Sequence, residues 1–194
     1  MVVTTAPDGR RLRRDKNRDA VIDALLDLFR DGVYQPSTAQ IATQAGLSLR
    51  SLFRYFDDVE DLHRAAAARQ IQLALPLVSL GTTPDEPTSV KIRAVAHARA
   101  SLFEQVAPAA RALRAAVLRR DVLTGELARN RAYLNRQIAD LFAPELAGPA
   151  KSVLPGLLVL CSFESYELLR SGQGLSQGGT EDALAVALSA LLGV

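Results

Sequence analysis

Covalent and metal chemistry have little to work with in this sequence of 194 residues. A single cysteine, Cys161, excludes an internal disulfide, and with only two histidines, His63 and His97, there is no ligand set for a structural zinc. Tryptophan is absent, aromatics make up only 5%, and no stretch alternates apolar with polar residues, so strands are not expected. Long apolar runs are missing too. The longest, Val153 to Phe163, is interrupted by Pro155, Gly156 and Ser162 and falls short of the roughly 20 residues that span a bilayer. The first twenty residues lack the apolar centre of a secretion signal, and there is no Asn-x-Ser/Thr sequon, so a reducing, cytoplasmic setting is expected. What remains is a chain 48% apolar and 23% charged, rich in Ala, Leu and Arg, which reads as a folded, soluble, all-helical protein.

The net charge of +2 is small, but its distribution is uneven. Between Gly9 and Arg18, six cations (Arg10, Arg11, Arg13, Arg14, Lys16, Arg18) face Asp15 alone, a local charge of +5. The helical stripe Val21, Leu25, Leu28 and Phe29, widened by Ile22 and Leu26 and stopped by Gly32, predicts an amphipathic helix from about Asp15 to Asp31. Asp15, Asp19, Asp23, Asp27 and Asp31 recur every fourth residue and form one acidic ridge that must face water. Cations at a helix N-terminus oppose its dipole by roughly 0.3 to 1 kcal/mol each. The arginines are therefore either an arm for an external anion or a solubilising tail, and charge alone leaves both open.

Next comes a compact pattern. Ser37 and Gln40 have the spacing of a capping box and open a short helix over about Thr38 to Ala45. Gly46 supplies the turn, and Ser48 caps a second short helix predicted to run through Tyr55. Two short helices joined by a glycine turn are the geometry that lays a recognition helix in the major groove of DNA. Leu49, Arg50, Ser51, Arg54 and Tyr55 lie on accessible faces of the second helix. Arginine in its first turn suits guanine O6 and N7, and Ser37 and Thr38 open the first helix as a phosphate site. Asp57 and Asp58 cap a longer helix from Val59 toward Leu75, and Ser79 to Thr88, with Gly81, Pro84 and Pro87, reads as a boundary loop. Further helices are predicted over Thr88 to Val106, Pro108 to Leu118, Asp121 to Phe142, Ala150 to Arg170 and Thr180 to Leu192.

The stretch Thr38-Ala39-Gln40-Ile41-Ala42-Thr43-Gln44-Ala45-Gly46-Leu47-Ser48, continued by Leu52-Phe53-Arg54-Tyr55-Phe56 and Glu60-Asp61-Leu62, resembles the DNA-binding signature of TetR-family transcriptional regulators. The resemblance covers about a quarter of the chain. It implies an N-terminal three-helix helix-turn-helix domain followed by a larger helical effector and dimerisation domain. The expected division is a basic flexible arm over 1–14, a DNA-binding domain over 15–62 and a ligand-binding and dimerisation domain over 63–194. It further implies that Arg50 and Ser51 face bases, and that Thr38, Phe53 and Tyr55 lie against the sugar-phosphate backbone. The resulting DNA-contact set is Arg10, Arg11, Arg13, Arg14, Ser37, Thr38, Ser48, Leu49, Arg50, Ser51, Phe53, Arg54 and Tyr55. The sequence departs from the family's pattern at Phe53 and Val59, where tyrosine and lysine are usual, which shifts weight onto the arginine arm and Arg54.

The C-terminal stretch is apolar on every helical face, from Leu157 to Phe163 and again from Leu184 to Leu192, and such helices must be covered on every side. A core within one chain or a second copy would do it. The resemblance favours the second copy, with Leu157, Leu160, Leu168, Leu184, Leu188 and Leu191 at a homodimer interface and a palindromic DNA operator as partner. It also implies an effector pocket lined by candidates His97, Arg99, Leu102, Phe103, Tyr133, Gln137, Phe163, Glu164 and Tyr166. Each could equally be an ordinary, satisfied helix residue, and the ligand is expected to be a largely apolar small molecule. No cofactor, metal or catalytic residue is expected. The acidic pairs at Asp57-Asp58 and Glu60-Asp61 read as helix caps, Gly172 to Gly179 lacks the lysine of a phosphate loop, and Cys161 reads as inert, a redox-sensing thiol being the minor alternative. The expected function is a dimeric repressor released from its operator by a small molecule. The alternatives are a regulator of the same fold without an effector or under protein control, and a helical enzyme or interaction module with an incidental helix-turn-helix.

Overall fold

The computed structural model describes residues 9–117, 124–147 and 152–194, and every regular element among them is helical. In order these are α1 (Gly9–Arg30), α2 (Thr38–Gln44), α3 (Leu49–Leu52), α4 (Val59–Ala74), α5 (Thr88–Val117), α6 (Thr124–Leu141), α7 (Leu154–Leu160), α8 (Phe163–Glu167) and α9 (Gln177–Leu192). A 3-10 turn, Leu75–Leu77, follows α4, and a π turn, Leu168–Gly172, follows α8. The chain forms two compact units. Among the described residues, 9–73 and 108–117 make the first, and 74–107, 124–147 and 152–194 the second. Beyond the segment 15–62, Ala66 of α4 and Ala112 of α5 belong to the core of the first unit.

That core follows from the stripe on α1. Val21, Ile22, Leu25, Leu26, Leu28 and Phe29 are buried against Ile41 and Ala42 of α2, Leu52 of α3, and Tyr55 and Phe56. Burying a side chain of this size contributes roughly 1.5 to 3 kcal/mol, which fixes three short elements that could not hold a helical shape alone. The α2–α3 turn is held by Gly46 at φ +67, with its N–H donating to Thr43 O and the N–H of Leu47 to Ala42 O. A side chain at Gly46 would meet no neighbour, so only its left-handed backbone requires glycine.

Three helix boundaries differ from expectation. α1 starts at Gly9 rather than Asp15, so Arg11, Arg13 and Arg14 ride exposed on its first turns and are not a flexible arm; residues 1–8 of that expected arm, and the side chain of Arg10, lie outside the described residues. The α3 helix is only four residues long, closing at Phe53 into a turn that carries Arg54 and Tyr55. The segments expected to meet at Pro108 are one helix, α5, in which proline removes a single backbone bond.

The second unit buries Ile92, Val95 and Ala96 of α5, Ile138 and Leu141 of α6, Phe142, Leu146, Leu157 of α7, Cys161, and Leu184 and Leu188 of α9. The helix expected over 150–170 is broken at Ser162, whose extended backbone ends α7 and whose hydroxyl accepts the Ser165 N–H at 3.2 Å to start α8. Composition suggested that both apolar helices need cover all round, but their burial is one-sided. Leu157, Leu184 and Leu188 are inside, whereas Val159, Leu168 and Val186 stand out in solvent.

Candidate functional site

In the first unit, capping dictates which groups the helix-turn-helix leaves exposed. At α2, Gln40 N–H donates to Ser37 Oγ while Ser37 N–H donates to Gln40 Oε1 at 2.9 Å, the capping box expected from spacing. At α3, Ser51 N–H donates to Ser48 Oγ, and the two hydroxyls bond each other at 3.0 Å. Ser37, Ser48 and Ser51 thus spend their hydroxyls on local structure. Thr38 is half-buried at the start of α2. Leu49, Arg50 and Phe53 are exposed, and Arg50 has no hydrogen bond or ion pair among the described residues. It is a cation presented to solvent by a capped, rigidly placed helical turn.

Tyr55 has a different position from the one expected. It is buried, and its hydroxyl accepts from Asn17 Nδ2 at 2.9 Å and from Arg54 Nη2 at 2.8 Å. These bonds, from Asn17 first and Arg54 second, hold the phenol below its ordinary range, and the charges of Arg54 and Arg14 add to the effect. The Arg54 guanidinium also lies 5.1 Å from the Tyr55 ring centre. Tyr55 therefore positions Arg54, and Asn17 ties both to α1. Next to Asn17 on α1, Arg18 sits 4.9 Å over Phe56. The Asn17–Tyr55 bond brings the part of α1 that carries Arg14 near Arg54, and exposed cations of this kind are the chemistry of a polyanion-binding surface. Asn17 and Arg18 were not singled out from sequence. Arg18 was counted as charge, and nothing in the spacing of Asn17 signals its bond across 38 positions.

In the second unit the proposed ligand residues separate into three groups. His97, Tyr133 and Glu164 are on the surface, His97 paired with Glu181 at 3.1 Å and Glu164 with Arg131 at 2.7 Å. Leu102 and Phe163 are buried, and Phe163 packs edge-on to Phe103 at 5.6 Å. Gln137 bridges, donating to Val78 O and accepting from Arg99. Arg99, Phe103 and Tyr166 line one cavity together, with Leu160, Ser162 and Thr180 among its other walls; its volume is about 10 Å³, room for about one water. Tyr166 O–H donates to Glu104, and burial together with that carboxylate pushes the phenol up to about 12. Burial likewise pushes the Cys161 thiol up to about 12, so it stays protonated at neutral pH. Of the residues expected at a dimer interface, Leu157, Leu184 and Leu188 are consumed by the unit's own core, Leu160 and Leu191 are half-buried, and Leu168 is exposed.

Solved structures with the same arrangement cover nearly the whole chain. A TetR-family transcriptional regulator from Streptomyces coelicolor superposes with a TM-score of 0.67 at 19% identity, over 91% of this chain and 80% of that one. The fold is that of TetR-family transcriptional regulators. A TetR-like regulator from Rhodococcus sp. RHA1 matches with a TM-score of 0.64 at 17% identity, over 92% and 97% of the two chains. A second transcriptional regulator from Rhodococcus reaches 0.69 at 14% identity, over 91% and 96%. At these identities the likeness to the TetR proteins is one of fold. No protein-family model matches the sequence, and no curated protein matches it. Among the described residues there is no helix long and apolar enough to cross a membrane and no cluster of three metal-ligating side chains.

Proposed function

We propose that this chain is a TetR-family regulator that binds a palindromic DNA operator as a homodimer, represses transcription there, and is released by a small molecule bound in its second unit. The observation that carries the reading is the exposed, unpaired Arg50 on a capped α3, flanked by Arg54 and by the basic first turns of α1. An arginine there can take guanine O6 and N7, while its basic neighbours take phosphates. Val159, Leu168 and Val186, each more than 60% exposed, are apolar surface that a second copy would cover. A two-fold dimer would set its α3 helices one or more helical turns of DNA apart, and a cytoplasmic location follows from the role. No catalytic step belongs to the reading.

The experiment is selection of bound duplexes from a random pool by the full chain. The expected product is an inverted repeat with guanine at fixed positions in each half-site. Recovery of duplexes without sequence preference, or of single half-sites, would overturn operator recognition or dimeric binding respectively. The small size of the cavity favours a second reading, a regulator of the same fold with no effector, which predicts that no small molecule changes operator affinity.

A further inference from the structure

Arg99 is the one described side chain of the second unit that carries a charge into the interior without a counter-charge. It is 1% exposed. Its Nη2 donates to Leu134 O at 3.0 Å and to Gln137 Oε1 at 3.2 Å, both neutral acceptors, while Nε and Nη1 are buried with no partner. A guanidinium carries five N–H donors and stays charged in proteins, so a buried one with orphan donors is destabilising unless something anionic meets it. No carboxylate is bonded to or ion-paired with it among the described residues, and Glu104, Glu145 and Glu164 of the same unit pair with Arg170, Lys91 and Arg131. Cys161 interacts with it electrostatically but is a neutral thiol.

Arg99 lines the cavity. The remaining walls are Phe103, Tyr166 and leucines, with the hydroxyls of Ser162 and Thr180 already bonded to Ser165 and to Ser176 O. The facing wall is the least regular helical segment of the unit. It stops at Cys161, restarts at the Ser162 cap and widens into the π turn Leu168–Gly172, which contributes Leu169 to the cavity. A π turn holds one residue more per turn than an α-helix and is found mostly at functional sites, so this wall has slack with which to admit a ligand larger than the present space.

We propose that the cavity beside Arg99 opens to take an organic monocarboxylate, its anionic group held by the unspent Nε and Nη1 donors and its apolar body by Phe103, Tyr166 and the leucines, and that this is the effector class of the protein. One cation matches one negative charge. A phosphate ester would need a second cation, and the closest candidate, Arg170, is fully engaged with Glu104 and Leu175 O. The effector role rests on the regulator reading above; the binding site does not.

The test uses the full chain and a panel of straight-chain carboxylates from acetate to dodecanoate, with benzoate and phenylacetate, against the matching neutral amides. Thermal shift and calorimetry are read without DNA, and affinity for the selected duplex is read with it. At least one carboxylate should raise the unfolding midpoint while its amide does not, and Arg99→Gln should weaken that binding by roughly tenfold or more, because charge-assisted bonds are about twice as strong as neutral ones. Should Arg99→Gln fail to fold, Leu169→Phe, which fills the cavity and leaves Arg99 in place, should abolish binding in the same way. No carboxylate binding, equal binding of amides, or binding untouched in both variants would overturn the site. Carboxylate binding lost in the variants but without effect on duplex affinity would overturn the effector role and leave DNA recognition standing; absent duplex binding with intact carboxylate binding would overturn the regulator reading and leave the site.

Discussion

The two units place their charges in opposite ways. In the first, every buried side chain among the described residues is apolar apart from the Tyr55 hydroxyl, and the arginines are outside. In the second, Lys91 and Arg99 are each 1% exposed. Lys91 is satisfied there, paired with Glu145 at 2.6 Å, donating to Pro84 O at 2.9 Å and lying 5.6 Å from the Phe142 ring centre. Arg99 is not. An apolar interior with charged edges makes a rigid platform whose chemistry is all at the surface, whereas a buried, unmatched cation belongs to a unit whose chemistry is inside. The difference between Lys91 and Arg99 is the sharper one, since burial is equal and only the partner differs.

The largest effect that would test this contrast comes from Glu145. Glu145→Ala strands Lys91 and should cost about 3 to 5 kcal/mol of stability in urea unfolding, whereas Arg99→Met, which removes a cation that has no counter-charge, should leave stability unchanged or raise it. Equal losses in the two variants would erase the distinction. Burial alone would raise the Glu145 carboxyl, but the bonds from Lys91 and Thr88 outweigh it and hold it below the usual carboxylate range. A depressed folded-state value means stability that is present above the unfolded-state value and lost as pH falls through the folded one. Acid unfolding below about pH 4 should therefore flatten in Glu145→Gln.

On the platform side, Arg50→Ala should cost about 1 to 3 kcal/mol of operator binding and relax base preference, read by titration against the selected duplex and its single-base variants. An unchanged preference would move recognition off α3. Tyr55→Phe removes the acceptor for Asn17 and Arg54 and should lower stability by about 0.5 to 1.5 kcal/mol, with a smaller, sequence-independent loss of DNA affinity as Arg54 loosens. The smallest effect is expected at α1. Arg14→Gln should weaken all DNA alike and reduce the slope of log affinity against log salt by about 1.

The parts of the fold set by local rules were legible in the sequence. The Ser37–Gln40 box, the Ser48 cap, the Gly46 turn and the α1 stripe are consequences of spacing, and they appear where spacing put them. What was not legible depends on partners far along the chain. The apolar surround of Leu157 and Leu184 is legible as a need for cover, but not which face the chain covers itself: Leu157 and Leu184 turn inside, and Val159 and Val186 remain in solvent. The break at Ser162 was hidden because serine at a helix interior and serine at a cap look alike until the backbone declares itself. At the candidate site, the exposure of Arg50 was readable from its place after a cap. The role of Tyr55 was not, because Asn17 lies 38 positions away. Arg99 was one arginine among many until its surroundings showed that nothing answers its charge.

The arrangement of α1 has a kinetic consequence. On the DNA-binding role proposed above, a net charge of +2 gives the molecule little long-range pull toward DNA. Its first helix, however, is basic at its start and carries exposed acids at Asp19 and Asp23 farther along, with Asp31 exposed just past its end. Such a polarised helix acts only within about 8 Å at physiological ionic strength. At that range it turns the molecule: an approach on the acidic flank is repelled and one on the basic end is held. Fewer encounters are wasted in the wrong orientation, even though the total number of encounters is hardly raised.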